Sequence, residues 1–447
     1  MENLILDIVD FGKINSANIN LNKINVIGGV NASGKSTAAR LLYCFLKALS
    51  SNRDEFILEY ILPDINGLIN RAARAMGDES TSKYNYSIHD NFEKILLDYD
   101  RARQIINSVS FPDDDILGRI IKEVDEFLSI IISDNNHSYS PILKILFETE
   151  SLYGFKGNVT FYNDSFKSSV NYNPSGDWIY DQGSVYNQNT EQNSFDDYDN
   201  EYGYLTEGTF DYISDVFYID SVSIFDLDYY INTKNSFKRI FKYKEHLDHL
   251  LKQLRDYNSN VDLSDEVKFK IEEVYKNIKD IIMGESLYES LIKINKIQED
   301  AFYFKQEDGE EFRVNISSGI QQIAVVQTLL HNKKFIPGTY LIIDEPEVNL
   351  HPEWQIKFAE ILVLLVKELD IKLYLNSHSP MFIEAISLYS EYYDLLEDTN
   401  FYLTEKQGND KFNFIKIDPK DMGAVYENLT KPYDELDKLK AKILFKE

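Results

Sequence analysis

Cysteine is almost absent from this chain: Cys44 is the single one in 447 residues. An internal disulfide is therefore excluded, and the composition suits a reducing, cytoplasmic setting. No apolar run approaches the roughly 20 residues that a membrane-spanning helix needs, so no membrane association is expected. The opening MENLILDIVD is acidic, with no basic region ahead of an apolar segment, so a secretory leader is not expected either. Positive charge is also scarce. The formal net charge is −28, and no Lys or Arg occurs between Lys167 and Lys234. Proteins that grip nucleic acid usually carry a basic face, because neutralising phosphates supplies most of their non-specific affinity. Weak or no direct DNA binding is expected. In the cation-free stretch Asp196, Asp197, Asp199, Glu201, Glu207, Asp211 and Asp215 crowd together. Within it NQNTEQNSFDDYDNEYG reads as a solvated loop, or the acids as a surface that repels DNA or receives a basic partner. One small basic patch follows on an expected helix: Lys234, Lys238, Arg239, Lys242 and Lys244.

What is present is an ordinary globular composition, 43% hydrophobic, with length for two or three structural units. Residues 1–50 read as strands, a glycine-rich turn and a helix; 51–150 as mostly helix, punctuated by Pro63 and Pro112. Residues 151–233 read as an acidic, aromatic, β-rich segment and 234–290 as charged helix. From 291 to 447 strand and helix alternate again, as parallel α/β architecture requires. A last amphipathic helix places Leu436, Leu439 and Ile443 on one face, and no internal repeat is visible.

Four motifs carry chemistry. GGVNASGKST fits G-x-x-x-x-G-K-S/T with Gly29, Gly34, Lys35 and Ser36, after a buried strand and before an amphipathic helix. Glycines let backbone N–H groups curl round a phosphate, the lysine brings fixed positive charge, and the serine hydroxyl can ligate Mg²⁺. Farther on, Tyr340–Ile343 reads as a buried strand ending in Asp344 and Glu345, at the sheet edge where α/β ligands bind. Asp344 suits a magnesium ion and Glu345 the activation of a water. A third strand ends at His378, placed to sense a terminal phosphate, with Ser379 and Pro380 opening the next helix as cap and first-turn residues. Before these two, NISSGIQQ opens an apolar helix with Ser317, Ser318 and Gly319, a start that is either an ordinary cap or an anion site.

In this order the motifs resemble an ABC-type ATPase of the branch that includes RecF, SMC proteins and the overcoming-lysogenisation-defect family. The wording GVNASGKST, SSGIQQ, DEPEVNLHP and NSHSP is similar to that of standalone prokaryotic ATPases of anti-phage systems such as PARIS and Septu. The likeness covers about 1–50 and 310–385. It implies an α/β fold, an ABC-type P-loop ATPase head of mixed or parallel sheet with flanking helices. A large α+β insertion would separate phosphate loop and signature. It implies ATP and Mg²⁺ as cofactors, with Gly29, Asn31, Ser33, Gly34, Lys35, Ser36 and Thr37 around the nucleotide. Ser36 and Asp344 would face the metal, and Glu345 and His378 would be catalytic. Ser317, Ser318 and Gly319 would touch a nucleotide held by a second copy, in a homodimer or larger homo-oligomer. Partners implied are a separate effector, a nuclease or toxin, and a phage-encoded trigger.

The chain departs from the family at Ser318, often Gly; at Ile320, often Gln or Glu; and at His351, where transporter-type relatives have Asp. These departures point to slow, regulatory turnover. Gln182, Gln188 and Gln192 are candidates for the glutamine of the magnesium shell, and Phe11 for stacking on adenine. A RecF- or SMC-like repair ATPase is the alternative, though the acidic balance and lack of long coiled-coil arms speak against it. A transporter subunit fits the large insertion poorly, and the short stretch after His378 leaves no room for a nuclease domain.

Overall fold

The computed structural model describes the chain apart from residues 1–3, 78–84, 110–113, 133–139, 153–154, 164–166, 173–177, 182–212, 221–243, 257–262, 283, 293–297, 307–310, 314–317, 421 and 446–447. An 11-stranded sheet organises the rest. Its strands are β1 (Ile5–Phe11), β2 (Ile14–Asn20), β3 (Ile24–Gly28), β4 (Asn158–Tyr162), β5 (Lys167–Tyr172), β6 (Trp178–Asp181), β7 (Val216–Ile219), β11 (Tyr340–Asp344), β12 (Lys372–Ser377), β13 (Thr399–Lys406) and β14 (Phe412–Ile417). A separate antiparallel sheet holds β8 (Gly284–Ile292), β9 (Gln298–Gln306) and β10 (Glu311–Arg313).

The large sheet runs in the order β6-β5-β4-β1-β2-β14-β13-β3-β12-β11-β7. Its β13-β3-β12-β11-β7 side is wholly parallel. β3, β7 and β11 are buried at every residue, as strands covered on both faces must be, which is why they read as continuous apolar runs. The β1, β2, β4, β5 and β6 side is antiparallel.

Alternate side chains feed two cores. Tyr218, Ile342 and Tyr374 join the helix Lys35–Ser50 on one face. Phe217, Ile343 and Leu375 face the opposite layer, with Ile323–Val326 of the helix Ser318–His331 and the helices Pro352–Leu369 and Pro380–Tyr392. A third cluster joins the helices Arg53–Ala75, Phe92–Ser108 and Asp114–Ile132.

Several local expectations change. Pro63 lies inside the helix Arg53–Ala75 rather than ending a helix, because the buried face from Ile57 to Ala72 holds the element together across it. Pro112 lies outside the described residues. The charged helical region resolves into Glu245–Arg255 and Asp265–Ile282, and the chain is strand again from Gly284, a residue that disfavours helix. Asp215, the last acid of the cation-free run, sits between Lys47 Nζ at 3.3 Å and His249 Nε2 at 3.0 Å, while the expected loop 187–203 lies outside the described residues. Burial opposes its ionisation, but the charges of His249 and Lys47 outweigh this and hold its carboxyl well below the usual range. Among the described residues no helix is long and apolar enough to cross a membrane.

Candidate nucleotide site

The parallel strands place three motifs at one edge. Asp344 pairs with Asn376, and Ser377 pairs with Gly28, so β11, β12 and β3 end level with one another. After β3 the chain turns through Gly29 at φ 152° and Gly34 at φ 100°, backbone that side chains rarely adopt. A Cβ at Gly29 would stand 1.8 Å from Thr404 Oγ1, and one at Gly34 would stand 2.6 Å from Ile14 Cγ1. The loop is thus pressed against β13 and β2, and both glycines are needed for that approach.

Gly34 caps the helix Lys35–Ser50 without any side-chain hydrogen bond, so the N–H groups of the first turn keep their capacity for an anion. Asn31 and Ala32 are exposed at the loop tip, Ser36 and Thr37 are half-buried, and Ser33 is buried with its hydroxyl unpartnered. Lys35 is buried and donates to the carbonyls of Gly29 and Val30, each at 2.8 Å. Burial lowers its pKa, against the opposing pull of Asp344, Glu345 and Glu347.

At the acidic edge Asp344 is buried; its carboxylate accepts from Asn376 Nδ2 at 3.0 Å and from the Tyr218 hydroxyl at 3.5 Å. Glu345 has φ 54°, unusual for a side-chain-bearing residue, and its N–H donates to Asn376 O at 2.9 Å. That backbone turn separates it from the buried strand. Burial raises the Glu345 carboxyl pKa; His378 pulls the other way, and the charges of Asp344 and Glu347 add to the rise. His378 Nδ1 lies 3.8 Å from Glu345 Oε1 and 3.0 Å from Glu347 Oε1. Ser379 and Pro380 open the next helix as expected, with Ser379 Oγ accepting from Phe382 N at 3.2 Å. His351 caps the helix Pro352–Leu369, its ring accepting from Glu353 N at 3.4 Å.

Two residues that sequence reasoning passed over belong to this edge. Glu347 is buried, and its Oε1 accepts from Ser377 Oγ at 2.9 Å, His378 N at 2.7 Å and Ser379 N at 3.0 Å. One carboxylate thereby fixes the segment after β11 to the one after β12. Glu347→Ala strands three donors, and losing such a buried partner costs about 1–3 kcal/mol. Its expected effect is a kcat at least ~10-fold lower with KM little changed, as His378 loses its seat. Glu347→Gln, whose amide oxygen still accepts, is expected to recover part of this. Steady-state phosphate release on the three proteins checks it.

Asp220 directly follows β7, and the pairing of Ile219 with Ile343 carries it to the level of Asp344, the last residue of β11. The signal was a buried run closing in an acid, VFYID beside YLIID. Asp220 is buried, bridged to Lys244 at 2.9 Å and 3.5 Å from His246 Nε2. Burial works against its charge, and the hydrogen bond and charge of His246, with Lys244, lower its pKa on balance. His246 is wholly buried, with Nδ1 2.6 Å from Glu150 Oε2.

Burial lowers the His246 pKa, but Glu150 and Asp220 win and raise it to about 9. The folded state therefore holds this proton more tightly than the unfolded chain. The resulting stabilisation, on the order of 3 kcal/mol, is fully present below about pH 6.5 and lost as pH rises through about 9. Denaturant unfolding near pH 6 and pH 9.5 should show that loss in the parent and not in His246→Gln.

Other expectations fare differently. Phe11 is fully buried and packs on Phe155 at 5.5 Å between ring centroids, so it cannot stack on a base. Lys244 of the basic patch is tied to Asp220. Lys234, Lys238, Arg239 and Lys242 lie outside the described residues, as do Gln182, Gln188, Gln192 and Ser317. Ser318 and Gly319 form the first turn of the helix Ser318–His331, whose apolar side joins the core opposite the phosphate-loop helix.

The family described as AAA ATPase domain matches residues 5–383. The chain belongs to this family and is an ATP-hydrolysing, nucleotide-binding enzyme of P-loop α/β fold. Solved structures similar to it include a SmcHead bound to the C-winged helix domain of ScpA, at 10% identity over 93% of this chain and 97% of that one, with TM-score 0.39. The SMC head domain from Thermotoga maritima matches at 10% identity over 93% and 98%, with TM-score 0.36. An Smc head domain with an extended coiled coil, bound to the C-terminal domain of ScpA derived from Pyrococcus furiosus, matches at 11% over 96% and 100%, with TM-score 0.41. No curated protein matches the chain.

Proposed function

We propose that the chain is an ABC-type ATPase that binds ATP with Mg²⁺, hydrolyses it slowly and uses the cycle to control a separate effector in anti-phage defence. The observation that carries the chemistry is the convergence of Lys35, Asp344, Glu345, Glu347 and His378 at one sheet edge. The residues fit the nucleotide: an uncapped helix N-terminus, and an ammonium held by two loop carbonyls that phosphate oxygens can replace. Ser36 and Asp344 would hold the magnesium, with the nucleotide's own oxygens as its remaining ligands. Bound there, the ion would neutralise phosphate charge as the terminal bond breaks.

This chain's own groups do the rest. Lys35 orients the phosphates, and Glu345 accepts the proton of the attacking water, its raised pKa suiting a base. His378, seated by Glu347, faces the phosphate that leaves. Ser317, Ser318 and Gly319 of a second copy complete the site. That the signature helix packs in the layer opposite the phosphate-loop helix supports this division.

The defence role rests on the motif likeness and on the acidic charge balance, which disfavours a DNA-gripping machine. Its test is a phage challenge of cells carrying the chain with its neighbouring reading frame. Plaque numbers should fall with the parent and not with Lys35→Ala. Equal plaque numbers with the parent and with empty cells would remove the defence reading and leave the ATPase standing.

A further inference from the structure

Asn376 stands where a strand covered on both faces would ordinarily carry an apolar residue. β12 is buried from Leu373 to Ser377, and Asn376 within it is wholly buried. Asparagine is depleted in strands, and a buried amide is costly unless its hydrogen bonds are met. The register shows what meets them. Asn376 pairs with Asp344 across the parallel β11–β12 ladder. Side chains alternate along a strand, so both residues lie on the side of Ile342 and Tyr374, towards the helix Lys35–Ser50.

Asn376 Nδ2 donates to Asp344 Oδ1 at 3.0 Å. The main-chain oxygen of the same residue accepts from Glu345 N at 2.9 Å. One residue of β12 thus holds the acid of β11 with its side chain and the base after it with its backbone. The other contact to Asp344, from the Tyr218 hydroxyl, is at 3.5 Å, the limit of such a bond. An ionised carboxylate only accepts, so the amide nitrogen must face it. That leaves Asn376 Oδ1 buried and without a partner among the described residues. An open acceptor at this edge is a place that a water can fill.

We infer that Asn376 is a positioning residue for ATP hydrolysis: its amide fixes the Asp344 carboxylate in the orientation that meets magnesium. This rests on the reading of Asp344 as the magnesium-facing acid. A carboxylate held by a close amide cannot turn freely, so the ion finds its ligand already placed. Without the amide, binding the ion has to order the side chain as well, and that costs conformational entropy.

Titration of the full chain with ATP, once with Mg²⁺ and once with EDTA, tests it. The ratio of the two affinities reports how well the protein holds the ion. Asn376→Leu keeps roughly the volume of the amide and removes the donor. Its affinity in EDTA should match the parent's, since Lys35 and the open helix start are untouched. The ratio should fall about tenfold or more, the loss usual for partners of metal ligands. Hydrolysis at saturating ATP should likewise need about tenfold more Mg²⁺ to reach half its maximal rate. Asn376→Ala removes the same donor with less bulk and carries the same expectations. Thermal melting identifies the folded variants. A merely structural role would lower the melting temperature and leave the ratio at the parent value. A folded variant with the parent's ratio overturns the inference and leaves the ATPase reading standing. A parent that gains nothing from Mg²⁺ overturns the reading of Asp344 and the inference with it.

Discussion

Glu345→Gln should bind ATP as the parent does and hydrolyse it about 10²–10⁴-fold more slowly, the range that a positioned general base contributes. The amide keeps the size and shape of the side chain, and the φ 54° backbone that presents it is held by the N–H bond to Asn376. Lys35 and the open first turn of its helix are untouched, so affinity has no reason to change. What is lost is the carboxylate placed to take the water's proton. Phosphate release and nucleotide titration on one preparation separate the two quantities. Turnover at the parent rate would assign the base to another residue.

Lys35→Ala should lose nucleotide affinity instead. Its ammonium is a buried fixed cation whose two present partners are loop carbonyls, and phosphates would take their place. Truncating one partner of a buried, hydrogen-bonded charge pair costs about 2–5 kcal/mol, roughly 30-fold or more in Kd. Calorimetric titration with ATP and Mg²⁺ reads the loss, and an unchanged Kd would mean that the phosphates sit elsewhere.

Much of this site was visible in the sequence because each motif is a run of consecutive residues. The phosphate loop, the strand closing in Asp344 and Glu345, and the Ser379–Pro380 helix start are local patterns that the backbone obeys. Glu347 and Asp220 were missed for the opposite reason. The role of Glu347 is set by donors at the end of another strand and just beyond it, about thirty positions away. That of Asp220 is set by β7 lying beside β11 across more than a hundred residues.

Burial was the other blind spot. Nothing local distinguishes a fully buried Phe11 from an exposed aromatic, or shows that Asp215 is ion-paired. Pro63 misled because a buried helix face, a tertiary feature, overrode a local breaker. In the parallel half of the sheet the apolar runs were plain. The sheet order joining segments 158–181 to β1 was not, since register depends on partners far away.

The central claim is that each ATP site is completed by Ser317, Ser318 and Gly319 of a second copy, and Gly319→Asp tests it most directly. The new carboxylate would stand against the partner's terminal phosphate, where like charges repel. The variant's own phosphate loop remains intact. ATP hydrolysis and ATP binding are measured on this variant, on Lys35→Ala, and on a mixture of the two after subunit exchange. The account predicts that Gly319→Asp binds ATP with the parent's affinity and does not hydrolyse it. It further predicts that the mixture regains activity, through hybrids that join a sound loop to a sound signature. Gly319→Asp hydrolysing ATP at the parent rate would contradict it and reduce NISSGIQQ to a helix cap.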